Sequence, residues 1–329
     1  MDSAQELPPQ DERLSGPAPG FVSGFVSILG RPNAGKSTLL NRLAGAKIAI
    51  VTDKPQTTRN RIQGVVHRPQ AQIIFIDTPG IHKAGTKLNQ RMMAEVRESL
   101  DGCDLLLLMI DASKPVGRGD QHAVDFVRNA RRPVFLLLNK VDAIGDKNRL
   151  LPLIDEFRQT GLFGEIIPIS ALSGDGVETM LDAVIRALPE GPRYFPPDYL
   201  TDQPARFLAA EIVREKIIVL TREELPYAAM VLIDRFEERA RLLRIAATIF
   251  VEREGQKAIV IGKSGEMIKK LGTQAREELE RRFGQKVFLE LFVKVRPGWR
   301  ESPSFLRATD WRSMVGAEEE DSSETPPDP

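Results

Sequence analysis

The sequence lacks the features that would place it among disulfide-rich, membrane-spanning or strongly basic proteins. Cys103 is the one cysteine in 329 residues, which excludes an intramolecular disulfide and is typical of a reducing compartment. No apolar run reaches the roughly 18 to 20 residues that a membrane span needs. The longest, Leu105–Ile110, has the length of a strand. The formal net charge is zero, so any binding to nucleic acid must come from a local basic patch.

Both ends of the chain are polar. The first 20 residues contain acids and prolines but no apolar core, so they do not resemble a signal or transit peptide. The last residues, GAEEEDSSETPPDP, are acidic and have nothing to bury. We predict a disordered tail at residues 1–20 and an acidic, mostly disordered tail at residues 301–329.

Between the tails the pattern predicts two domains. In residues 21–188, β-rich runs alternate with helical patterns, which indicates an α/β domain with a mixed sheet, and the phosphate-binding motif given below makes it a P-loop domain. Most of this sheet should be parallel, with one antiparallel hairpin at its edge around Arg68, Pro69 and Gln70. Five prolines in residues 189–204 mark a linker. A smaller α+β domain is expected at residues 205–300.

A phosphate-binding motif lies between the first predicted strand and the first predicted helix. It matches G-x-x-x-x-G-K-[ST] and comprises Gly30, Arg31, Pro32, Asn33, Ala34, Gly35, Lys36 and Ser37, with Thr38 next. The glycines let successive backbone N–H groups point at phosphate oxygens, and the helix N-terminus adds partial positive charge. We expect Lys36 to neutralise the β- and γ-phosphates and Ser37 to bind Mg²⁺.

A second motif follows the third predicted strand and consists of Asp77, Thr78, Pro79 and Gly80. A carboxylate at this strand end can hold Mg²⁺ through water, and the Gly80 N–H can reach a γ-phosphate. The position after Gly80, where small signalling GTPases have a glutamine that orients water, is Ile81. We therefore predict slow intrinsic hydrolysis, accelerated by a partner or by loop rearrangement. His82 is adjacent, but a histidine in a mobile loop is more often incidental than catalytic.

The third motif decides the base and consists of Asn139, Lys140, Val141 and Asp142. A carboxylate at Asp142 can accept hydrogen bonds from both the ring N–H and the amino group of guanine, whereas adenine has an acceptor at the first position and no such amine. A site with that requirement discriminates by about 10⁴ or more. Backbone N–H groups of one further segment should complete the base pocket: Ser170, Ala171 and Leu172.

A loop between the first two motifs contains two adjacent threonines. A threonine there can bind Mg²⁺ when the γ-phosphate is present, so that the order of the loop depends on the nucleotide. Thr58 is our first candidate and Thr57 the second, and with Lys36 and Gly80 we assign Thr58 to catalysis. We name the switch loop by its residues: Gln56, Thr57, Thr58, Arg59 and Asn60.

The second domain contains an apolar, strand-like run, residues 258–261, that ends in a G-x-x-G turn and leads into a basic helix. In KH modules such a turn holds the backbone of about four single-stranded nucleotides. Alone, G-x-x-G is also compatible with a second phosphate loop or a plain turn. The residues expected to bind RNA are Ile261, Gly262, Lys263, Ser264, Gly265, Lys269 and Lys270. Farther along, Arg276, Arg281 and Arg282 alternate with glutamates, which indicates a solvated helix face.

Taken together, these segments resemble the Era GTPases of ribosome assembly from about residue 21 to residue 300. The similarity lies in GRPNAGKSTLLNRLAG, KPQTTRNRIQG, FIDTPGIHK, LLLNKVD, ISAL and IVIGKSGEMIKKLGTQAREELE…KVFLELFVKVRPGWR. It implies a Ras-like GTPase domain joined to a type II KH domain. It also implies GTP and GDP as substrate and product, Mg²⁺ as cofactor, and a hydrophobic residue at the position of Ile81.

The resemblance further implies binding to the 3′ end of 16S-type rRNA and a role in maturation of the small ribosomal subunit. We expect a cytoplasmic monomer, with peripheral association at the inner face of the cell membrane implied by resemblance alone. Two other functions stay open from the residues: a signalling GTPase whose second domain binds protein, and an RNA-modifying enzyme gated by GTP. For the latter, no cysteine or histidine cluster is found in the sequence.

Overall fold

The computed structural model describes residues 20–81, 85–310 and 312. His82, nearly all of the predicted N-terminal tail and most of the acidic tail lie outside these residues. The described chain forms two sheets, one of six strands and one of three.

The larger sheet has the strand order β2-β3-β1-β4-β5-β6. The predicted hairpin is confirmed, because β2 pairs antiparallel with β3 at the sheet edge, and the other neighbours are parallel. The strands are β1 (Val22–Gly30), β2 (Ile62–Arg68), β3 (Ala71–Asp77), β4 (Leu105–Asp111), β5 (Val134–Asn139) and β6 (Glu165–Pro168).

Helices cover both faces of this sheet, which explains why its central strands are apolar throughout. All seven residues of β4 are buried, as expected for a parallel strand packed on both sides. One core contains residues of α1 and α5, and the opposite core contains residues of α2, α3 and α4. The helices are α1 (Lys36–Ala44), α2 (Lys87–Asp101), α3 (Arg118–Val127), α4 (Leu150–Gln159) and α5 (Val177–Ala187).

The proline-rich segment, residues 189–204, contains no helix and packs along the β2–β3 edge. The Val65 N–H donates to the Leu200 carbonyl at 2.9 Å. The buried Gln72 side chain accepts from the Tyr194 and Phe195 N–H groups at 2.7 and 3.0 Å and donates to the Phe195 carbonyl at 2.7 Å. The segment thereby satisfies part of an otherwise open sheet edge.

The second domain has the sheet order β7-β8-β9, with β7 antiparallel and β9 parallel to β8. Helices α6 and α9 pack on its inner face. Its elements are α6 (Ala205–Leu220), α7 (Leu225–Ala228), β7 (Met230–Arg239), β8 (Leu242–Val251), α8 (Glu254–Ile261), α9 (Glu266–Phe283) and β9 (Lys286–Val295).

The strand-like reading of residues 258–261 is wrong, because this run is the last turn of α8. The Gln256 side chain accepts from the Glu252 and Arg253 N–H groups at 2.9 and 3.1 Å, which caps the start of the helix. Gln256 and Val260 are its buried residues, at the i, i+4 spacing of one helix face, whereas Ile259 is 54% exposed. A short run of apolar residues conceals that spacing.

The predicted tail also begins later than residue 301. Trp299 is fully buried, and its Nε1 donates to the Ala228 carbonyl at 2.9 Å. A further helix, α10 (Pro303–Ala308), buries Phe305 and Leu306 against Leu88 and Met92 of α2. The C-terminal segment therefore joins the second domain to the first.

Candidate nucleotide site and nucleic-acid groove

A cavity of about 300 Å³ lies beyond the carboxyl ends of the parallel strands, where ligands bind in sheets of this kind. Strands β1, β3, β4 and β5 are parallel, so their last residues lie along one edge of the sheet: Gly30, Asp77, Asp111 and Asn139. The cavity is lined by the phosphate loop, the switch loop and residues 50–53, together with Gly80, Lys114 and Lys140.

The phosphate loop depends on two glycines in close contact with neighbouring strands. Gly30 and Gly35 have φ values of 147° and 106°. A Cβ on Gly30 would lie 2.4 Å from the Met109 carbonyl oxygen, and one on Gly35 would lie 2.2 Å from the Asn139 amide nitrogen. No larger side chain fits either position.

Lys36 is buried at the base of this loop, where its ammonium donates to the Gly30 and Arg31 carbonyls at 3.2 and 3.1 Å. Burial lowers the pKa of Lys36, and the charge of Asp77 opposes this shift. An anionic phosphate beside Lys36 would compensate the buried charge.

The other loop residues hold the phosphate loop in place. Arg31 points away from the cavity and forms an ion pair with Asp120 of α3 at 2.9 Å. The Asn33 amide donates to the Asp53 carbonyl at 2.6 Å, and Ala34 is fully buried. Pro32 and Thr38 line the cavity.

Three oxygen-bearing side chains converge beside Lys36. Ser37 Oγ donates to Asp77 Oδ2 at 2.5 Å and lies 2.9 Å from Thr58 Oγ1. Thr58 Oγ1 also donates to Asp77 Oδ2, at 3.4 Å. Asp77 is buried, its Oδ1 has no hydrogen-bond partner, and burial raises the pKa of its carboxyl to about 6. Hard oxygen ligands, including a buried carboxylate with one unpartnered oxygen, fit Mg²⁺. The assignment of these three residues as metal ligands stays a prediction.

The two candidate threonines differ in their surroundings. Thr57 Oγ1 lies 2.6 Å from Thr52 Oγ1 and donates to the Lys54 carbonyl at 2.7 Å, so it is engaged within its own loop. The geometry therefore favours Thr58 over Thr57 as the metal ligand.

The segment after β3 packs tightly on the phosphate loop. The Thr78 hydroxyl donates to the Ile28 carbonyl at 2.8 Å, and Pro79 is buried beside it. A Cβ on Gly80 would lie 2.6 Å from the ring of Pro32. The Ile81 N–H donates to the Gly30 carbonyl at 3.0 Å, and its side chain is buried in the α2 core. Ile81 thus has a packing role and supplies no polar group to the cavity.

Asn139 ties together two of the predicted motifs. Its amide nitrogen donates to the Ala34 carbonyl at 2.7 Å, and its carbonyl oxygen accepts from the Ala171 N–H at 2.9 Å. The Ala171 N–H, which the sequence assigned to the base pocket, is therefore engaged with Asn139. Leu172 is 71% exposed, next to it.

Lys140 and Asp142 belong to the part of the site that is expected to bind the guanine base. Lys140 has a φ of 68°, and its ammonium forms an ion pair with Asp111 at 2.8 Å. The exposed Asp142 accepts from the Ser170 hydroxyl at 2.5 Å, which orients its carboxylate. Val141 packs with Ile144 and Leu150 and has a structural role.

Sequence reasoning missed Asp111 and Lys114. Asp111 ends β4 and pairs with Lys140 and, at 3.9 Å, with Lys114, which lines the cavity. Although burial opposes it, hydrogen bonds from Lys140 and Ser113 lower the pKa of Asp111. An acidic residue at the end of a buried strand was the available signal.

The G-x-x-G turn joins α8 to α9, and a groove of about 370 Å³ lies between α9 and β9. Gly262 and Gly265 have φ values of 75° and 80°, and a Cβ on Gly262 would lie 2.6 Å from Met267. Lys263, Ser264, Lys269 and Lys270 are exposed, and Ile261 is half-buried. The groove is lined by Ile268, Lys269, Gly272, Thr273, Arg276, Leu289 and Leu291.

The prediction of a solvated face on α9 is wrong for two of its residues. Arg276 lines the groove, and Glu278 forms ion pairs with Lys47 of the first domain and Lys216 of α6. Regular alternation of charges along a helix does not distinguish water from a neighbouring domain.

Two absences concern the described residues only. Among them, no helix is long and apolar enough to cross a membrane. The same residues contain no group of three or more histidines, cysteines, aspartates or glutamates arranged to hold a metal ion.

Two family profiles match the chain. Residues 25–140 match a profile described as 50S ribosome-binding GTPase, and residues 224–300 match the KH domain profile. The first covers the nucleotide site up to Lys140, and the second covers the G-x-x-G turn and the groove.

Full-length relatives match both domains together. GTPase Era of Syntrophus aciditrophicus (strain SB) is 52% identical over 289 residues, which cover 87% of this chain and 94% of that protein. GTPase Era of Geobacter metallireducens is 53% identical over 289 residues, covering 87% of this chain and 97% of that protein.

Solved structures agree. A crystal structure of Era in complex with MgGDPNP and nucleotides 1506-1542 of 16S ribosomal RNA has a TM-score of 0.86 at 43% identity, covering 88% of this chain and 99% of that one. A variant of Aquifex aeolicus Era bound to GDP.AlF4- has a TM-score of 0.84 at 42% identity, with the same coverage.

Proposed function

The chain belongs to the Era family of GTPases, and from this premise we propose that it is a switch that binds 16S-type rRNA in a GTP-dependent manner. It binds GTP with Mg²⁺ and hydrolyses GTP to GDP and phosphate. It engages the 3′ end of the rRNA and assists maturation of the small ribosomal subunit.

The observation that carries the nucleotide half is the convergence of Ser37, Thr58 and Asp77 beside the buried Lys36. Bound Mg²⁺ would neutralise charge on the β- and γ-phosphates. Around it, Lys36 and the phosphate-loop N–H groups hold the phosphates, and Gly80 provides an N–H near the γ-phosphate. Asp142, oriented by Ser170, reads guanine.

Slow intrinsic hydrolysis is part of the proposal. The side chain at the water-orienting position, Ile81, is 3% exposed and packs in the core, so it cannot hold water by hydrogen bonding. A rate of several turnovers per second by the isolated protein would contradict this point.

The observation that carries the RNA half is the groove between α9 and β9. Its lining combines the apolar side chains of Ile268, Leu289 and Leu291 with the cationic side chains of Lys269 and Arg276, the latter paired with Glu280 at 3.0 Å. Bases can stack on the apolar side chains while the cations neutralise phosphates. The small subunit is preferred as target because a relative matched over 99% of its length was solved with 16S ribosomal RNA.

The test is binding of the GTP-analogue form to a single-stranded oligonucleotide from the 3′ end of small-subunit rRNA. A double variant, Lys263→Glu with Lys269→Glu, should bind at least about tenfold more weakly. If both lysines contact phosphates, it should also lower the slope of log K against log salt by about 1.4, since each phosphate contact on a single strand contributes ~0.7.

Lys294→Glu is the matched control, because Lys294 is exposed on the face of β9 opposite Leu289 and Leu291. It should bind RNA nearly as the wild type does. If the wild type fails to bind this RNA in either nucleotide state, the assembly function is refuted and the second domain is better explained as a protein-binding module.

On family resemblance alone, we further propose a cytoplasmic monomer that associates peripherally with the inner face of the cell membrane. Analytical ultracentrifugation tests whether the protein is a monomer. Co-flotation with vesicles containing anionic lipid tests the membrane association. An absence of flotation at low salt would contradict that association.

A further inference from the structure

The second domain contacts the switch loop directly behind Thr58. Arg214 of α6 is fully buried, and its guanidinium donates to the carbonyl of Thr57. Glu211, one helical turn earlier, accepts from Arg214 Nε at 2.7 Å and from Nη2 at 2.5 Å, which fixes the guanidinium plane. The hydrogen-bonded carbonyl belongs to the peptide unit that precedes Thr58.

Arg59, on the other side of Thr58, is anchored to the second domain through its side chain. It is 4% exposed and lies 5.6 Å from the centre of the Trp299 ring. Its guanidinium donates to three second-domain carbonyls at 2.8, 3.1 and 3.3 Å, those of Ala229, Tyr227 and Pro226. Both peptide neighbours of Thr58 are thus bound to the second domain.

A third contact lies upstream, in the connection from α1. Glu215 of α6 accepts from the Val51 N–H at 3.1 Å and from the Lys47 ammonium at 2.7 Å. One face of α6 therefore contacts this connection at residues 47, 51 and 57.

These contacts have a consequence for metal binding. Thr58 is useful as a ligand only while its hydroxyl lies near Ser37 and Asp77, and an isolated loop would lose conformational entropy on adopting that geometry. A loop already anchored on both sides of Thr58, through the Thr57 carbonyl and the Arg59 side chain, loses less, so it binds the metal more tightly.

We propose that Arg214 is a positioning residue for the Mg²⁺–GTP state, through which the second domain pre-orders Thr58 without touching the nucleotide. The inference deepens the proposed function and rests on it, since it requires that the pocket take Mg²⁺ and GTP. It assigns to the second domain a part in the nucleotide chemistry in addition to RNA binding.

The experiment measures the Mg²⁺ concentration that half-saturates GTP hydrolysis in the full-length protein, together with GDP affinity. Arg214→Met should raise the Mg²⁺ requirement by about tenfold, corresponding to the loss of one hydrogen bond from a charged donor. GDP affinity should stay within twofold, because Thr58 is needed only with a γ-phosphate. The Mg²⁺ requirement of Arg214→Lys should lie between those of Arg214→Met and the wild type.

Arg222→Met is the matched control, since Arg222 is exposed just after the same helix, and it should behave as the wild type. If Arg214→Met does not fold by circular dichroism, Glu211→Gln replaces it and should shift the Mg²⁺ requirement in the same direction.

An unchanged Mg²⁺ requirement in a folded variant overturns the inference, as does a loss of GDP affinity as large as the rise in the Mg²⁺ requirement, which indicates a structural role only. Absence of Mg²⁺-dependent hydrolysis in the wild type would refute the proposed function instead.

Discussion

Replacing Asp142 by asparagine should change the base that the pocket accepts. The Asp142 carboxylate is exposed and oriented by the Ser170 hydroxyl at 2.5 Å. It can accept from both the ring N–H and the amino group of guanine. Asparagine keeps one acceptor but presents an NH₂ donor to the guanine amino group, so one pairing becomes a clash between two donors.

The size of the effect follows from the exposure of the site. Two hydrogen bonds to a charged acceptor contribute about 1.5–3 kcal/mol each when buried. Because Asp142 is exposed, we discount the pair to about 3 kcal/mol, which corresponds to roughly 10²-fold weaker GDP binding. Xanthine carries an oxygen where guanine carries the amine, so the variant should gain affinity for xanthosine diphosphate.

Displacement of a fluorescent GDP derivative by GDP and by xanthosine diphosphate measures both changes. Asp146→Asn is the matched control: Asp146 caps the Asn148 N–H at 3.0 Å, and asparagine can do the same. GDP affinity within threefold of wild type in Asp142→Asn, or a loss without any gain for xanthosine diphosphate, would refute the assignment.

Three further outcomes test the metal site and its surroundings. Thr58→Ala should raise the Mg²⁺ requirement of GTP hydrolysis roughly tenfold or more. Thr57→Ala, which removes a hydroxyl engaged within the loop, should change that requirement little. A larger rise in Thr57→Ala than in Thr58→Ala would make Thr57 the metal ligand. Because burial raises the pKa of Asp77 to about 6, Mg²⁺ must displace a proton below that pH. The affinity of Mg²⁺ for the protein–GDP complex should therefore fall by up to about tenfold per pH unit below pH 6 and stay constant above it. Calorimetry measures this affinity, with Asp77→Asn as the reference. An affinity that does not change with pH contradicts the raised pKa of the buried carboxyl. Gly80→Ala, whose Cβ would lie 2.6 Å from the Pro32 ring, should slow single-turnover hydrolysis at least about tenfold and leave GDP affinity nearly unchanged; wild-type turnover would show that the segment can move freely.

The first domain could be predicted in detail from the sequence because its signals are local. Apolar strand-length runs, each followed by a loop with polar chemistry, predicted a mostly parallel sheet with one hairpin at its edge. The parallel arrangement then brings Gly30, Asp77 and Asn139 to one edge, which makes the pocket a consequence of the topology.

The second domain and its junction could not be predicted to the same depth. Residues 258–261 are apolar and three of the four are β-branched, which favours a strand, whereas the Gln256 cap and the i, i+4 burial that make them helical depend on the fold. Arg59 and Arg214 contact residues more than 150 positions away, and no spacing in the sequence signals such a pair.

The most direct test of the account is the affinity of the full-length protein for the rRNA 3′-end oligonucleotide in its two nucleotide states at fixed Mg²⁺ and salt. The account predicts tighter binding with a GTP analogue than with GDP, by about 5- to 150-fold, and the same factor for the effect of RNA on the preference for the analogue over GDP. Equal RNA affinity in the two states would contradict it.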